Sequence, residues 1–250
     1  MTSLPESTEK RLGLVIDLDL CVGCHACAVA CKSWNSGGMA GPLTDESPYG
    51  AEPHGIWFNR VHSYTAKRPE DNGAPLTMHF PRSCLHCENA ACVTVCPTGA
   101  SHKRSADGIV LVDEDKCIGC QLCAWACPYG AREFSAVEGV MKKCTLCADR
   151  IDNQDLPVAD RQPACVMACP TKARLFGDLA DPESEASRYA SERGSVDLYG
   201  ELGYKPVNRY LPPKARPAPT AVVAAAGDEA EYQPEQLPPL LKWLDRVLTR

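Results

Sequence analysis

Residues 117–128 read CIGCQLCAWACP, from Cys117 to Pro128, and this stretch decides the reading of the chain. Cys117, Cys120, Cys123 and Cys127 stand in the spacing C-x2-C-x2-C-x3-C-P. Three cysteines two residues apart wrap a loop around one corner of a cubane. Backbone N–H groups in such a loop point at sulfur and offset negative charge. The fourth cysteine is expected past a turn, at the start of a helix, where the following proline costs no N–H. Structural zinc uses C-x2-C pairs separated by a longer loop and does not require a third cysteine two residues on.

Working outward, all sixteen cysteines fall into four groups of this kind. The first is Cys21, Cys24, Cys27 and Cys31. The second is Cys84, Cys87, Cys92 and Cys96, closed by Pro97. The run just quoted is the third. The fourth is Cys144, Cys147, Cys165 and Cys169, with a long middle gap and a closing Pro170. The third group matches the bacterial ferredoxin run, whose fourth cysteine ligates the other cluster of a pair. An internal repeat frames the groups. Val15 to Leu20 precedes the first and Leu111 to Lys116 the third, each reading as a short strand followed by an aspartate-containing turn. Pro97-Thr98-Gly99-Ala100, Pro128-Tyr129-Gly130-Ala131 and Pro170-Thr171-Lys172-Ala173 follow the closing cysteines. The expected fold is α+β: two bacterial-type two-cluster ferredoxin modules in a pseudo-twofold relation, with long loop and hairpin insertions and an extended C-terminal tail.

Groups two and three, separated by the strand Ile109 to Val112, are expected to form an inner module over 83–138. Groups one and four are left to form a split outer module, 1–32 with 139–180. Carried by the ferredoxin pattern, four [4Fe–4S] ligand sets follow. Cluster 1 takes Cys21, Cys24, Cys27 and Cys169; cluster 2 takes Cys84, Cys87, Cys92 and Cys127. Cluster 3 takes Cys96, Cys117, Cys120 and Cys123; cluster 4 takes Cys31, Cys144, Cys147 and Cys165. The insertion 33–82 carries Trp57, Phe58 and Tyr64 and reads as a hairpin of about 55–65 with about 76–80. It is either a docking surface or a lid that keeps water off a cluster. Residues 181–239 read as an extended Pro- and Ala-rich tail. In 240–250, Leu240, Leu241, Leu244, Val247 and Leu248 share one face of a short amphipathic helix, expected to dock on a partner subunit.

Composition narrows the function. Aromatic residues are 6% of the chain, against eighteen glycines and twenty-one prolines, so little apolar material is available and the cysteines must help hold the fold. No secretory leader is read at the N-terminus, which argues against disulfides. No apolar run approaches the ~20 residues of a membrane helix. The net charge of −6 lacks the basic footprint of a nucleic-acid binder. There is no dinucleotide fingerprint and no nucleophilic triad signature, so no small-molecule substrate is expected here.

The nesting of the four groups resembles the iron–sulfur subunits of the dimethyl-sulfoxide-reductase superfamily of molybdenum enzymes. The resemblance covers about 12–180. It rests on 80–133 (FPRSCLHCENAACVTVCPTGASHKRSADGIVLVDEDKCIGCQLCAWACPYGARE), 139–150 (GVMKKCTLCADR) and 163–173 (PACVMACPTKA). Within that superfamily, 203–213 (GYKPVNRYLPP) and Gly177-Asp178-Leu179 are similar to the membrane-bound sulfite dehydrogenases. The resemblance implies a non-catalytic electron-transfer subunit. Its partners would be a molybdenum catalytic subunit, which alone holds the molybdopterin cofactor, and an integral membrane subunit that reacts with quinone. The implied location is the cytoplasmic face of the cytoplasmic membrane, peripheral through those partners. The same electron role serves tetrathionate, thiosulfate, polysulfide and dimethyl sulfoxide reductases. A free-standing polyferredoxin is the other alternative.

Five further residues are candidates for the surroundings of the clusters. His25 and His86 could donate hydrogen bonds to sulfur or be ordinary loop residues. Lys142 and Lys143 could offset cluster charge or be a solvated pair. Trp125 could serve as an electron relay or simply pack.

Overall fold

Strand β1, Leu12–Asp17, is buried from its second residue onward. Its core, Leu14-Val15-Ile16, is apolar without alternation, as a strand covered on both faces requires. The structure is a computed structural model that describes residues 2–36, 56–67 and 75–214. After β1 come helix α1 (Ala26–Asn35), strands β2 (Asn59–Lys67) and β3 (Pro75–Ser83), and helix α2 (Ala91–Thr94). Strands β4 (Ser101–Lys103) and β5 (Val110–Val112), helix α3 (Leu122–Trp125), and strands β6 (Glu133–Ser135) and β7 (Val140–Lys142) follow. The chain continues through α4 (Ala148–Asp152), α5 (Ala164–Met167), β8 (Arg174–Asp178), α6 (Glu185–Glu192) and β9 (Arg209–Leu211).

The strand after one cysteine group pairs with the strand before another. β4 runs antiparallel to β5, β6 to β7, and β8 to β1 with Leu12 opposite Asp178. Strand β9 adds to the far side of β1 in parallel, Val15 opposite Arg209, so the three-stranded order is β8-β1-β9. Helix α1 packs on α5, and α2 on α3, which brings group one to group four and group two to group three. Trp34 on α1 also reaches α4: its Nε1 donates to Asp149 Oδ2 at 2.7 Å, and Arg150 lies over its ring. The groups expected to form an inner and an outer module lie within one compact unit.

The principal core joins β1 side chains Leu14 and Ile16 to Leu85, Ile109, Leu146, Tyr210 and the thiols Cys27 and Cys165. Cysteines thus occupy positions that aliphatic side chains hold elsewhere. The 33–82 insertion carries the paired strands β2 and β3, displaced toward the C-terminus from the expected 55–65 and 76–80 and ending next to Cys84. Ile56 and Phe58 pack with Cys31, Cys84 and Cys144 in a second core.

Two sequence expectations are corrected. The closing cysteine does not begin a helix. Cys96, Cys127 and Cys169 each lie just beyond the end of α2, α3 or α5, and the proline after each cannot continue the helix. Residues 181–211 are not an extended tail. Ser184 caps α6 by accepting the Ser187 N–H at 3.1 Å, and Ala186 and Ala190 bury against β1 and β8. A Cβ on Gly177 would stand 2.8 Å from the Ala186 Cβ, so the close approach needs glycine. Tyr189 and Arg193 both donate to Asp17 Oδ2, at 2.6 and 2.7 Å, tying the helix to the end of β1. The acidic sequence of 181–201 concealed this because the buried residues of its helix are two alanines, with only Tyr189 packed beside them. The expected linker from 215 and the short helix of 240–250 lie outside the described residues.

Candidate metal centres

Each cysteine loop turns the same way. The residue before the second cysteine has a positive φ in all four groups: Gly23 at 68°, His86 at 48°, Gly119 at 66° and Leu146 at 56°. This folds the first two thiols of a group toward one side. His25 and Gln121, just after the second cysteine, are left-handed as well, and each starts the helix that carries the third. Cys24 and Cys120 are exposed, and the remaining thiols are buried or half-buried.

The fold brings together cysteines from different groups. Cys96, Cys117, Cys120 and Cys123 line one cavity with Thr98, Ile118, Leu122 and Met141. Cys21 lies near Cys27 and Cys169. Cys87 has Cys84, Cys92 and Cys127 around it. Cys31 has Cys144, Cys165 and Cys147. Asn35 spans this last set, with Nδ2 3.6 Å from Cys31 Sγ and 3.5 Å from Cys147 Sγ. Neighbouring sets also adjoin: Cys27 with Cys165, Cys144 with Cys84, and Cys92 with Cys123.

The donor chemistry fits iron–sulfur clusters. All sixteen thiols are unbridged. Burial, and then the crowding of neighbouring thiols, pushes Cys144 up to about 12 and raises Cys31 well above its ordinary value. Burial also pushes Cys165 up to about 11, against the pull of Arg174. Thiolates packed this closely repel one another unless a positive metal core lies among them. Backbone N–H groups already point at sulfur: Met141 at Cys117 and Ser101 at Cys96, both 3.3 Å, and Leu146 at Cys144 and Ala164 at Cys147, both 3.4 Å. Thr98 and Thr171, each two residues past a closing cysteine, place hydroxyls 3.7 and 3.8 Å from Cys96 and Cys169. Among the described residues, no three His, Cys, Asp or Glu side chains are arranged to hold a single metal ion.

The five surrounding candidates separate. His86 is fully buried, and its Nδ1 accepts the Val110 N–H at 3.1 Å, which leaves the ring proton on Nε2. That Nε2 has no partner among the described protein atoms. Burial, then Lys143, Lys103 and Arg132, depress its pKa well below the ordinary histidine value, so the ring is neutral. His25 Nδ1 is likewise buried and unpartnered. Lys143 is buried and donates to the carbonyls of Val110 and Cys144. Lys142 pairs with Glu114 and Glu138. Trp125 is 86% exposed, so it is not packed.

Sequence reasoning gave Asn35 no role, although a polar residue four positions after Cys31 on one helix lies on the same face. Arg132 and Arg174 carried only a general signal as basic residues near cysteines. Arg132 donates to Ser101 Oγ at 2.7 Å. Arg174 donates to Asn59 Oδ1 at 2.7 Å and lies 3.6 Å from Cys165 Sγ. Both are fully enclosed.

Loops, helices and thiol sets of this kind define ferredoxin-type iron–sulfur domains. Two models described as 4Fe–4S dicluster domain match the sequence, one over residues 76–179 and the other over 20–100. The chain is 58% identical over 202 residues to the B subunit of sulfite dehydrogenase from Allochromatium vinosum, covering 81% of this chain and 83% of that one. It is 37% identical over 226 residues to the B-type iron–sulfur subunit of a putative dimethyl sulfoxide reductase from Halobacterium salinarum, covering 80% and 78%. The B chain of polysulfide reductase from Wolinella succinogenes is 35% identical over 206 residues, covering 82% and 96%. This protein belongs to the iron–sulfur electron-transfer subunits of the dimethyl-sulfoxide-reductase superfamily of molybdenum enzymes.

Proposed function

We propose that this chain relays single electrons from a molybdenum catalytic subunit that oxidises sulfite to sulfate, to a quinone-reactive subunit in the membrane. The observation that carries the sulfite reading is the 58% identity to the B subunit of a sulfite dehydrogenase over four fifths of both chains. When bound, four [4Fe–4S] clusters supply the one-electron chemistry, one in each cysteine set.

The sets we assign are Cys21, Cys24, Cys27 and Cys169; Cys84, Cys87, Cys92 and Cys127; Cys96, Cys117, Cys120 and Cys123; and Cys31, Cys144, Cys147 and Cys165. They are supported by the shared cavity of the third set and by the thiol neighbourhoods of the others. The packing of α1 on α5 and of α2 on α3 supports two ferredoxin-like pairs in a pseudo-twofold relation. The contacts between sets give the relay a continuous path, with the exposed Cys24 and Cys120 in the two sets at its ends. His86 Nε2–H is assigned as a donor toward sulfur.

Molybdopterin belongs to the catalytic partner. The chain sits at the cytoplasmic face of the membrane through its partners. Among the described residues, no helix is long and apolar enough to cross a membrane. The test is metal analysis of the complex purified anaerobically from native membranes, followed by sulfite-driven quinone reduction. About sixteen irons per chain, with molybdenum in a larger co-purifying chain, are expected. Full iron without molybdenum would make this a free polyferredoxin. Molybdenum with activity on polysulfide, tetrathionate, thiosulfate or dimethyl sulfoxide, but not sulfite, would move the substrate.

A further inference from the structure

Arg132 and Arg174 occupy the same place in the repeat, five residues beyond a closing cysteine: Cys127 for Arg132, Cys169 for Arg174. Each begins or immediately precedes a strand leaving a cysteine loop. They are 1% and 3% exposed. Among the described residues, neither pairs with a carboxylate: Arg132 reaches Ser101 Oγ, and Arg174 reaches Asn59 Oδ1 and Cys165 Sγ. Nε and Nη1 of Arg132 are buried with no hydrogen-bond partner among the described residues. A guanidinium taken out of water without a counter-charge costs several kcal/mol. The fold therefore has to supply that charge by other means.

Cysteines of the assigned sets stand around both side chains: Arg132 lines the cavity of Cys96, Cys117, Cys120 and Cys123, and Arg174 lies 3.6 Å from Cys165 Sγ. The cysteines whose charge acts most on Arg132 are Cys92, Cys123 and Cys84. Around Arg174 the charges that act most are those of Cys165 and Cys27, then Tyr210 and Cys31. The two neighbourhoods share a property. Cys84 and Cys92 belong to one assigned set and Cys123 to the next. Cys27 belongs to one set, Cys31 and Cys165 to another. Each arginine thus stands between the two ligand sets of one pair.

We propose that Arg132 and Arg174 are internal counter-cations, one for each cluster pair, that raise the reduction potentials of both clusters they separate and lessen the repulsion between them when both are reduced. This rests on the four sets assigned above. Potentials of such clusters respond to net charge, burial and hydrogen bonds to sulfur. A fixed cation shared by two clusters acts on both, and low local polarity strengthens its effect.

The experiment is a potentiometric EPR titration of the intact complex in native membranes, with iron content measured on the same samples. Two kinds of variant are used. Arg132→Gln removes one charge and keeps donors. Asn59→Asp keeps volume and adds a carboxylate at the atom that Arg174 already contacts at 2.7 Å. In Arg132→Gln, two of the four signals are expected to shift to lower potential. In Asn59→Asp the other two should shift. At fixed ambient potential the expected change in the reduced-to-oxidised ratio is tenfold or more, which is about 59 mV for a one-electron couple. Arg132→Lys should return its pair toward the wild-type values.

Unchanged potentials with full iron in both variants would overturn the proposal, as would movement of a single signal in each. If Arg132→Gln loses iron, Asn59→Asp and Arg132→Lys still decide. An unmoved pair in Asn59→Asp, or a pair that falls as far in Arg132→Lys as a neutral residue would cause, would refute it. Fewer than four signals in the wild-type complex would instead refute the four-set assignment, independently of the arginines.

Discussion

At the scale of single residues, the position before the second cysteine of each group decides how the thiols meet. Gly23 and Gly119 take its positive φ without strain, whereas His86 and Leu146 hold it against the preference of an L-residue. A Cβ on Gly119 would also collide with the Gly139 carbonyl oxygen, which belongs to backbone and cannot swing aside. Gly119→Ala is expected to cost about 1–3 kcal/mol from backbone conformation alone. Loss of one cluster, seen as a fall of about a quarter in iron and sulfide, is the expected readout; full iron with wild-type thermal stability would contradict it. The cysteines were legible in the sequence from their spacing; the left-handed turn before each second thiol was not read there, because His86 and Leu146 take it as well as the two glycines. The buried state of His86 was not legible. An imidazole two residues past Cys84 reads the same in a wet loop as in a sealed one, and only the approach of Val110 settles its tautomer.

At the scale of elements, the strands before the cluster loops were visible as short apolar runs ending in aspartate, and β1 and β5 lie where those runs fall. The parallel addition of β9 was hidden, since its pairing is with residues almost two hundred positions earlier. Asn208 fixes that junction. Its Oδ1 accepts the Leu14 N–H at 2.8 Å and its Nδ2 donates to the Cys84 carbonyl at 3.0 Å, in full burial. Asn208→Ala leaves both groups unpaired, at about 1–3 kcal/mol each. A lower thermal midpoint is expected, followed as loss of visible cluster absorbance; an unchanged midpoint would show that β9 is dispensable. The insertion offers a different test. Phe58 packs with Cys31, Cys84 and Cys144, so Phe58→Ala opens a cavity costing about 3–5 kcal/mol beside them. Faster bleaching in air is expected for the neighbouring clusters alone. Equal bleaching of all four would mean that the hairpin is no lid.

At the scale of the whole molecule, cysteines and ordinary apolar side chains form one interior, Cys27 and Cys165 sharing a core with Leu14 and Ile16. Metal loss should therefore unfold more than the loops. Anaerobic iron chelation is expected to remove visible absorbance and secondary structure together, measured by circular dichroism; retention of the native spectrum without iron would show that the fold stands on its own. The exchange of closing cysteines between groups gives a second expectation. Cys96→Ser should disturb the cluster on Cys117, Cys120 and Cys123, because those residues share its cavity. Loss of the Cys84, Cys87 and Cys92 cluster instead would reverse the assignment.

The sequence by itself determined the number of cysteine groups, the strands that precede the first and third, and the family. Those features depend on spacing over a dozen residues, which local backbone geometry reads directly. Tertiary structure alone decided how 181–211 closes on β1, and where two guanidinium groups without a carboxylate partner are enclosed. These depend on burial and on contacts between distant parts of the chain. A charge on Arg132 or Arg174 becomes consequential only once the fold has excluded water from it and placed thiols of two sets around it.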